Sequence, residues 1–114
     1  MKIAIHPIKF DVTPSFETYI TTKLGSLDKF VKRFEEFGDA ELSFEIRRTT
    51  SHHHKGKVFW AAADLVLPKK VLRAEKEGSD ARAIVDEIKD TLRIEIEKYK
   101  TRFAEIKKGR LTES

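Results

Sequence analysis

The chain has 114 residues, 39% of them hydrophobic and 37% charged, which is enough for one domain with an apolar core and a heavily ionised surface. A net charge of +4 favours polyanionic partners, namely RNA, DNA or an anionic membrane surface. The lack of cysteine excludes disulfides and thiolate chemistry. No apolar run approaches the roughly 18 residues of a membrane span. We therefore expect a soluble, cytoplasmic protein without a signal peptide.

The first half of the chain predicts a strand, a helix and a second strand. Hydrophobic alternation over residues 2–11 indicates a strand, with a kink or bulge at Pro7. Thr13 and Pro14 form a helix start, and apolar residues at helical spacing carry the helix to about Glu36. Alternation resumes over residues 39–48, which indicates a strand with one buried face.

The second half predicts two more strands and a long helix. Residues 57–67 and 71–76 alternate as strands on either side of a turn at Pro68, after a polar loop over 49–56. Gly78 to Asp80 break the last strand and cap a helix over residues 81–107.

The element order predicts an α+β fold, β-α-β-β-β-α, in which two helices cover one face of a four-stranded mixed sheet. A right-handed crossover makes the first two strands parallel, and the remaining strands form an antiparallel meander. We expect one domain over residues 1–108 and a frayed tail over 109–114.

The last helix carries a basic stripe beside its apolar face. At about 100° per residue, eight of its side chains fall in one apolar arc of roughly 80°: Ala81, Val85, Ile88, Leu92, Ile96, Tyr99, Phe103 and Ile106. Five cations lie within roughly 40° of one another on the flank of that arc and form a rail some 35–40 Å long, which suits a row of phosphates. They are Arg82, Lys89, Arg93, Lys100 and Lys107. Cations that favour a helix C-terminus explain part of this set, but not its alignment.

The first helix and one loop add further candidate cations. Lys29 and Arg33 lie on one flank of the first helix, with Lys23 at the rim of its apolar arc. The loop region from Arg47 to Lys57 has no acid, and it is either a solvated loop or a loop that contacts nucleic acid. Its candidate contact residues are Arg47, Arg48, His52, His53, His54 and Lys55. Adjacent histidines without more distant ligands do not indicate a metal site, and none is predicted.

No motif in the sequence indicates catalysis. A phosphate-binding glycine loop and a nucleophile elbow are both missing, so neither an enzyme nor a cofactor nor a small-molecule substrate is predicted. Trp60 and Asp64 are placed on the open face of the sheet, where Trp60 either stacks a base or covers the sheet or a neighbouring chain.

Several segments together resemble one protein family. The segments are Val12-Thr13-Pro14 at the helix start, Lys23-Leu24 and Leu27 within that helix, Leu72 to Asp80, and Ala83, Asp86, Asp90, Leu92, Lys98, Tyr99 and Lys100 in the last helix. In these segments the chain resembles ribosome hibernation-promoting factors, which are also known as ribosome-associated inhibitor or sigma-factor modulation proteins. The chain departs from the family pattern at Ser26, Thr91 and Ile94, where cations are usual.

The resemblance implies a fold similar to double-stranded-RNA-binding domains and docking on the small ribosomal subunit near the decoding site. The expected partners are the ribosome and its small-subunit rRNA, and the effect is steric inhibition of translation in idle ribosomes. The family's RNA-binding positions correspond to Lys23, Arg33, Lys98, Lys100 and Arg102. We expect a monomer off the ribosome. The alternatives are a generic double-stranded-RNA-binding module and a protein-binding regulator that uses Trp60, Asp64 and Ile94.

Overall fold

The fold is a four-stranded sheet with its helices packed on one face, as predicted. A computed structural model describes residues 1–49 and 58–112, with side chains through Arg102. The strands are β1 (Lys2–Ile8), β2 (Glu41–Arg48), β3 (Phe59–Leu67) and β4 (Lys70–Gly78). The helices are α1 (Pro14–Gly25), α2 (Asp28–Val31), a 3₁₀ helix (Lys32–Phe37) and α3 (Ala81–Thr112). Strand order is β1-β2-β3-β4, with β1 parallel to β2 and the other pairs antiparallel.

Strand β1 is shorter and more regular than the sequence predicted. It pairs residue for residue with β2 through Pro7, so the predicted kink or bulge is wrong. Pro7 is tolerated because β1 lies at the edge of the sheet, where a missing N–H group costs little. The strand ends at Ile8 because Lys9 adopts a left-handed φ of 49°, which turns the chain away from the sheet before residue 11.

The start of α1 is as predicted, but the single helix to Glu36 is wrong. Thr13 Oγ1 accepts a hydrogen bond from the Phe16 N–H at 3.1 Å, and Pro14 occupies the first turn. Helix α1 stops at Gly25, and the Ser26 hydroxyl donates to the Lys23 carbonyl at 2.6 Å, which competes with the helical hydrogen bonds. The chain continues as α2 and the 3₁₀ helix without losing the apolar face.

The core lies between the helices and the inner face of the sheet. The alternation in β2 and β3 places the predicted side chains inward, including Leu42, Phe44 and Ile46, each at most 1% exposed. Helix α3 packs on β3 and β4 and against α1. The buried side chains of α3 include Ile84, which the predicted apolar arc had left out.

The last helix begins where predicted and extends further. Asp80 Oδ1 accepts from the N–H groups of Arg82 (3.0 Å) and Ala83 (3.3 Å), which fixes its first turn. Helix α3 ends at Thr112, five residues beyond the predicted end. Fraying of 109–114 and the domain boundary stay predictions. Within the described chain, no helix is long and apolar enough to cross a membrane.

Candidate nucleic-acid interface

The predicted basic rail of α3 faces α1 and α2. The Arg82 guanidinium donates to Ser15 Oγ at 3.1 Å, and its central carbon lies 4.7 Å from the centre of the Tyr19 ring. Arg93 lies in the same way over Phe30, at 4.9 Å. The basic rail therefore runs along the line where α3 meets the other helices, and its two arginines lie over aromatic rings.

One cation of α1 and one of α2 lie close to the same two rings. Lys23 Nζ lies 5.4 Å from the centre of the Tyr19 ring, and Lys29 Nζ lies 5.2 Å from that of Phe30. Each ring therefore lies beside one cation from α3 and one from α1 or α2. We call these four cations, Lys23, Lys29, Arg82 and Arg93, the seam.

Asp86 is the carboxylate that contacts the seam. It accepts hydrogen bonds from the Tyr19 hydroxyl at 2.8 and 2.9 Å, and Lys23 Nζ lies 3.8 Å from its Oδ1. The hydrogen bond to Asp86, with smaller contributions from burial and charge, raises the pKa of Tyr19 above its ordinary value. Asp86 thereby fixes the ring on which Lys23 and Arg82 rest, and it offsets the repulsion between these two cations.

The remaining predicted cations divide between two flanks of α3. Lys89 and Lys100 are half-buried on the seam side. Lys98 and Arg102 are exposed on the other flank, because two residues of helix advance about 200°. Lys98 also lies 3.6 Å from Glu95. Arg33 is exposed in the 3₁₀ helix, and the side chain of Lys107 lies outside the described residues.

The opposite side of the molecule, the outer face of the sheet, carries more acids than cations. Strand alternation and register place five carboxylates and three cations on this face. They are Glu41, Glu45, Asp64, Glu75 and Glu77 against Lys2, Arg47 and Arg73. Arg73 is engaged by Asp64 at 2.9 and 3.0 Å. The helix side therefore suits a polyanion better than the sheet side does.

Trp60 is covered on this outer face and offers no platform for a base. Its side chain is 8% exposed, the Arg47 guanidinium lies 4.3 Å from the centre of its ring, and its Nε1–H donates to Glu75 at 2.7 Å. Ile94 is 56% exposed, but it projects from α3 on the far side of the sheet from Trp60 and Asp64. The expectation that these three residues form one protein-binding surface is therefore wrong.

The candidate loop is only partly described. Arg47 covers the ring of Trp60, and the central carbon of the Arg48 guanidinium lies 5.6 Å from the centre of the Phe59 ring. His52, His53, His54 and Lys55 lie outside the described residues. Elsewhere, in the described ranges, no group of three or more histidine and carboxylate side chains is arranged to hold a metal ion.

Sequence reasoning assigned no role to the residues that position the seam, which are Ser15, Tyr19, Phe30 and Asp86; Asp86 was named only as part of the family resemblance. A weak signal was present, because Tyr19 lies four residues before Lys23, and residues at that spacing are neighbours on one helix face. Which side of α3 would meet that face depends on helix packing.

Comparison with known proteins identifies relatives of this chain. A family profile described as "Sigma 54 modulation protein / S30EA ribosomal protein" matches residues 3–104. The "Ribosome hibernation promotion factor" of Deinococcus radiodurans is 27% identical over 93 residues, which cover 82% of this chain and 46% of that protein. The protein of the same name from Lactococcus lactis is 30% identical over 105 residues, which cover 90% of this chain and 51% of that protein. The chain spans about half the length of these relatives.

Solved structures with the same fold include the Thermus thermophilus Protein Y N-terminal domain, at 20% identity and a TM-score of 0.60, covering 87% of this chain and 99% of that one. A ribosomal subunit interface protein from Coxiella burnetii has a TM-score of 0.70 at 20% identity, covering 89% of this chain and 99% of that one. At this identity the likeness establishes the fold. Since the family profile covers most of the sequence, the chain belongs to the sigma 54 modulation protein and S30EA ribosomal protein family.

Proposed function

We propose that the chain binds the small ribosomal subunit near the decoding site through the cations of its helix side. Bound there, it obstructs the path of mRNA and tRNA and keeps idle ribosomes from translating. Family membership and the hibernation factors among its relatives support a ribosomal role. The observation that supports this orientation is the seam, where cations from α1, α2 and α3 lie close to the rings of Tyr19 and Phe30.

The seam favours RNA for two physical reasons. Lys and Arg side chains that neutralise phosphates release counterions, and this release supplies most of the affinity for a nucleic acid. Side chains already held on rings lose less conformational freedom on binding than free ones do. Arg82 is held by a hydrogen bond and a ring, so its charge is preorganised.

The outer sheet face strengthens this orientation, because its excess of carboxylates disfavours contact with phosphates. Binding then works by occupancy, and it needs no catalytic group and no cofactor. Partner selection rests on charge and shape on the helix side.

Co-sedimentation with ribosomes, separated subunits and a generic RNA duplex across a salt series tests the proposal. The variant Lys29→Glu/Arg93→Glu reverses two seam charges, and Lys69→Glu/Lys70→Glu makes the same charge change at two exposed residues where the turn after β3 enters β4. We expect saturable binding of the native protein to small subunits, loss of binding for the seam variant, and near-native binding for the turn variant. With about six to ten phosphate contacts, affinity should fall roughly 10³–10⁵-fold between about 50 and 200 mM salt, by analogy with duplex DNA.

A second variant tests the positions implied by family resemblance. Lys98→Glu/Lys100→Glu/Arg102→Glu changes both flanks of α3 and should abolish ribosome binding with the fold intact, as judged by circular dichroism. Unchanged binding of this folded variant contradicts docking through α3. Equal affinity of the native protein for any duplex would indicate a generic double-stranded-RNA binder. Binding that ignores salt would indicate a protein partner.

A further inference from the structure

An open groove of about 540 Å³ lies where α1 and α3 begin, at one end of the seam. Aromatic rings form much of its wall: Phe10, Phe16 and Phe59 all line it. Arg82 lines the same groove and also belongs to the seam, so the groove and the seam are continuous.

The three rings form one cluster around Phe10. Its ring centre lies 5.9 Å from that of Phe16 and 5.6 Å from that of Phe59, the latter pair meeting edge to face at 80°. Phe16 is buried, whereas Phe10 and Phe59 are half-buried. The cluster is thus anchored in the core and keeps partly exposed ring surface at the groove.

The polar groups around the groove differ in how far they are already engaged by other residues. Arg82 is exposed, although Ser15 and Tyr19 hold its guanidinium in place. Asp80 also lines the groove, but its Oδ1 is engaged in capping α3. Asp11 is exposed and adds a second carboxylate.

We propose that this groove takes one unpaired nucleobase of the bound RNA, stacked on the exposed ring surface of the Phe10 cluster and in contact with the guanidinium of Arg82 at its rim. The inference rests on the proposed function and deepens it: the seam contacts phosphates, and the groove contacts a base. Unpaired bases in RNA are commonly recognised by stacking on aromatic rings and on guanidinium planes.

The lining favours a base over a phosphate. The carboxylates of Asp11 and Asp80 repel a phosphate placed in the groove, whereas a carboxylate accepts hydrogen bonds from the exocyclic amino group of a base. The phenylalanine rings offer no donor to a phosphate oxygen, but they offer flat apolar surface to a π system. The adjacent seam cations hold the flanking backbone.

The test uses an RNA hairpin with a single bulged 2-aminopurine, whose fluorescence is quenched on stacking, and a matched hairpin in which the 2-aminopurine is paired. Phe10→Leu keeps an apolar side chain but removes the ring, and Arg82→Lys keeps the charge but removes the plane. Arg73→Lys is the matched control, since Arg73 is an arginine of the outer sheet face, away from both the seam and the groove.

We expect the native protein to bind the bulged hairpin more tightly than the paired one and to quench its fluorescence. Phe10→Leu and Arg82→Lys should each weaken binding of the bulged hairpin and of ribosomes by about 5- to 150-fold, the range of one lost base stack. The salt dependence should stay unchanged, because both groove variants keep every positive charge, and Arg73→Lys should bind like the native protein.

Equal quenching by the native protein and both groove variants would overturn the base site. Native ribosome affinity of both variants would do the same, while leaving the proposed function standing. Failure of the native protein to bind ribosomes at all would instead overturn the proposed function. Arg82→Lys changes an exposed side chain, so it keeps the test valid if Phe10→Leu fails to fold.

Discussion

Replacing Trp60 separates a structural role on the outer sheet face from a binding role. Its ring is 8% exposed under the Arg47 guanidinium, and its N–H donates to Glu75. Replacing a buried Trp by Ala costs about 3–5 kcal/mol of unfolding free energy. Because Trp60 packs on the outside of the sheet, we expect the lower end for Trp60→Ala, about 3 kcal/mol. Trp60→Phe keeps a ring under Arg47 and loses one hydrogen bond, which corresponds to about 1 kcal/mol.

Urea unfolding followed by far-UV circular dichroism measures these differences, since Trp60 is the single tryptophan and its fluorescence disappears in both variants. Val66→Ala, on the same strand and face but 41% exposed, is the control and should cost less than about 1 kcal/mol. Under native conditions Trp60→Phe should bind ribosomes normally. A Trp60→Ala protein within about 0.5 kcal/mol of native stability that fails to bind ribosomes would refute this reasoning and make Trp60 a contact residue.

Three further outcomes are expected. Arg93→Gln should reduce the magnitude of the negative slope of log affinity against log salt by about 0.7–0.9. Arg73→Gln, on the opposite face, should leave that slope unchanged. Equal slopes for the two variants would contradict the proposed orientation. In a Tyr99→Phe background, an absorbance titration should place the pKa of Tyr19 above 10.0, and Asp86→Asn should return it toward that value. Since the folded-state pKa is raised, this group's contribution to stability is full below pH 10.0 and is lost as pH rises through the raised pKa. Analytical ultracentrifugation should find a monomer of 13.2 kDa, and a dimer mass would contradict that expectation.

The sequence was sufficient for the inward faces of β2 and β3, because the period of two fixes which side chains face inward. Leu42, Phe44 and Ile46 follow this rule, and Thr13 and Pro14 mark the start of α1 by local chemistry alone. These features depend on neighbours along the chain.

The features that the sequence did not predict depend on contacts between distant segments. The end of α1 is an exception: the Ser26 hydroxyl donates to the carbonyl of Lys23, only three residues earlier, and competes with the helical hydrogen bonds. The cover on Trp60 requires the register that sets Arg47 opposite it.

In the candidate interface, the cations of α3 were predictable from the sequence, but the rings that support them were not. The helical period identified Arg82 and Arg93 as members of one stripe. The rings beneath them, Tyr19 and Phe30, become visible only when α3 is packed against the other helices.

A structure of the ribosome-bound protein, determined by electron cryomicroscopy, tests the central claim most directly. We expect density for the chain on the small subunit near the decoding site, with the seam against rRNA phosphates and the outer sheet face turned away from them. Density on the large subunit, or a small-subunit complex in which the outer sheet face contacts the rRNA, would contradict the account.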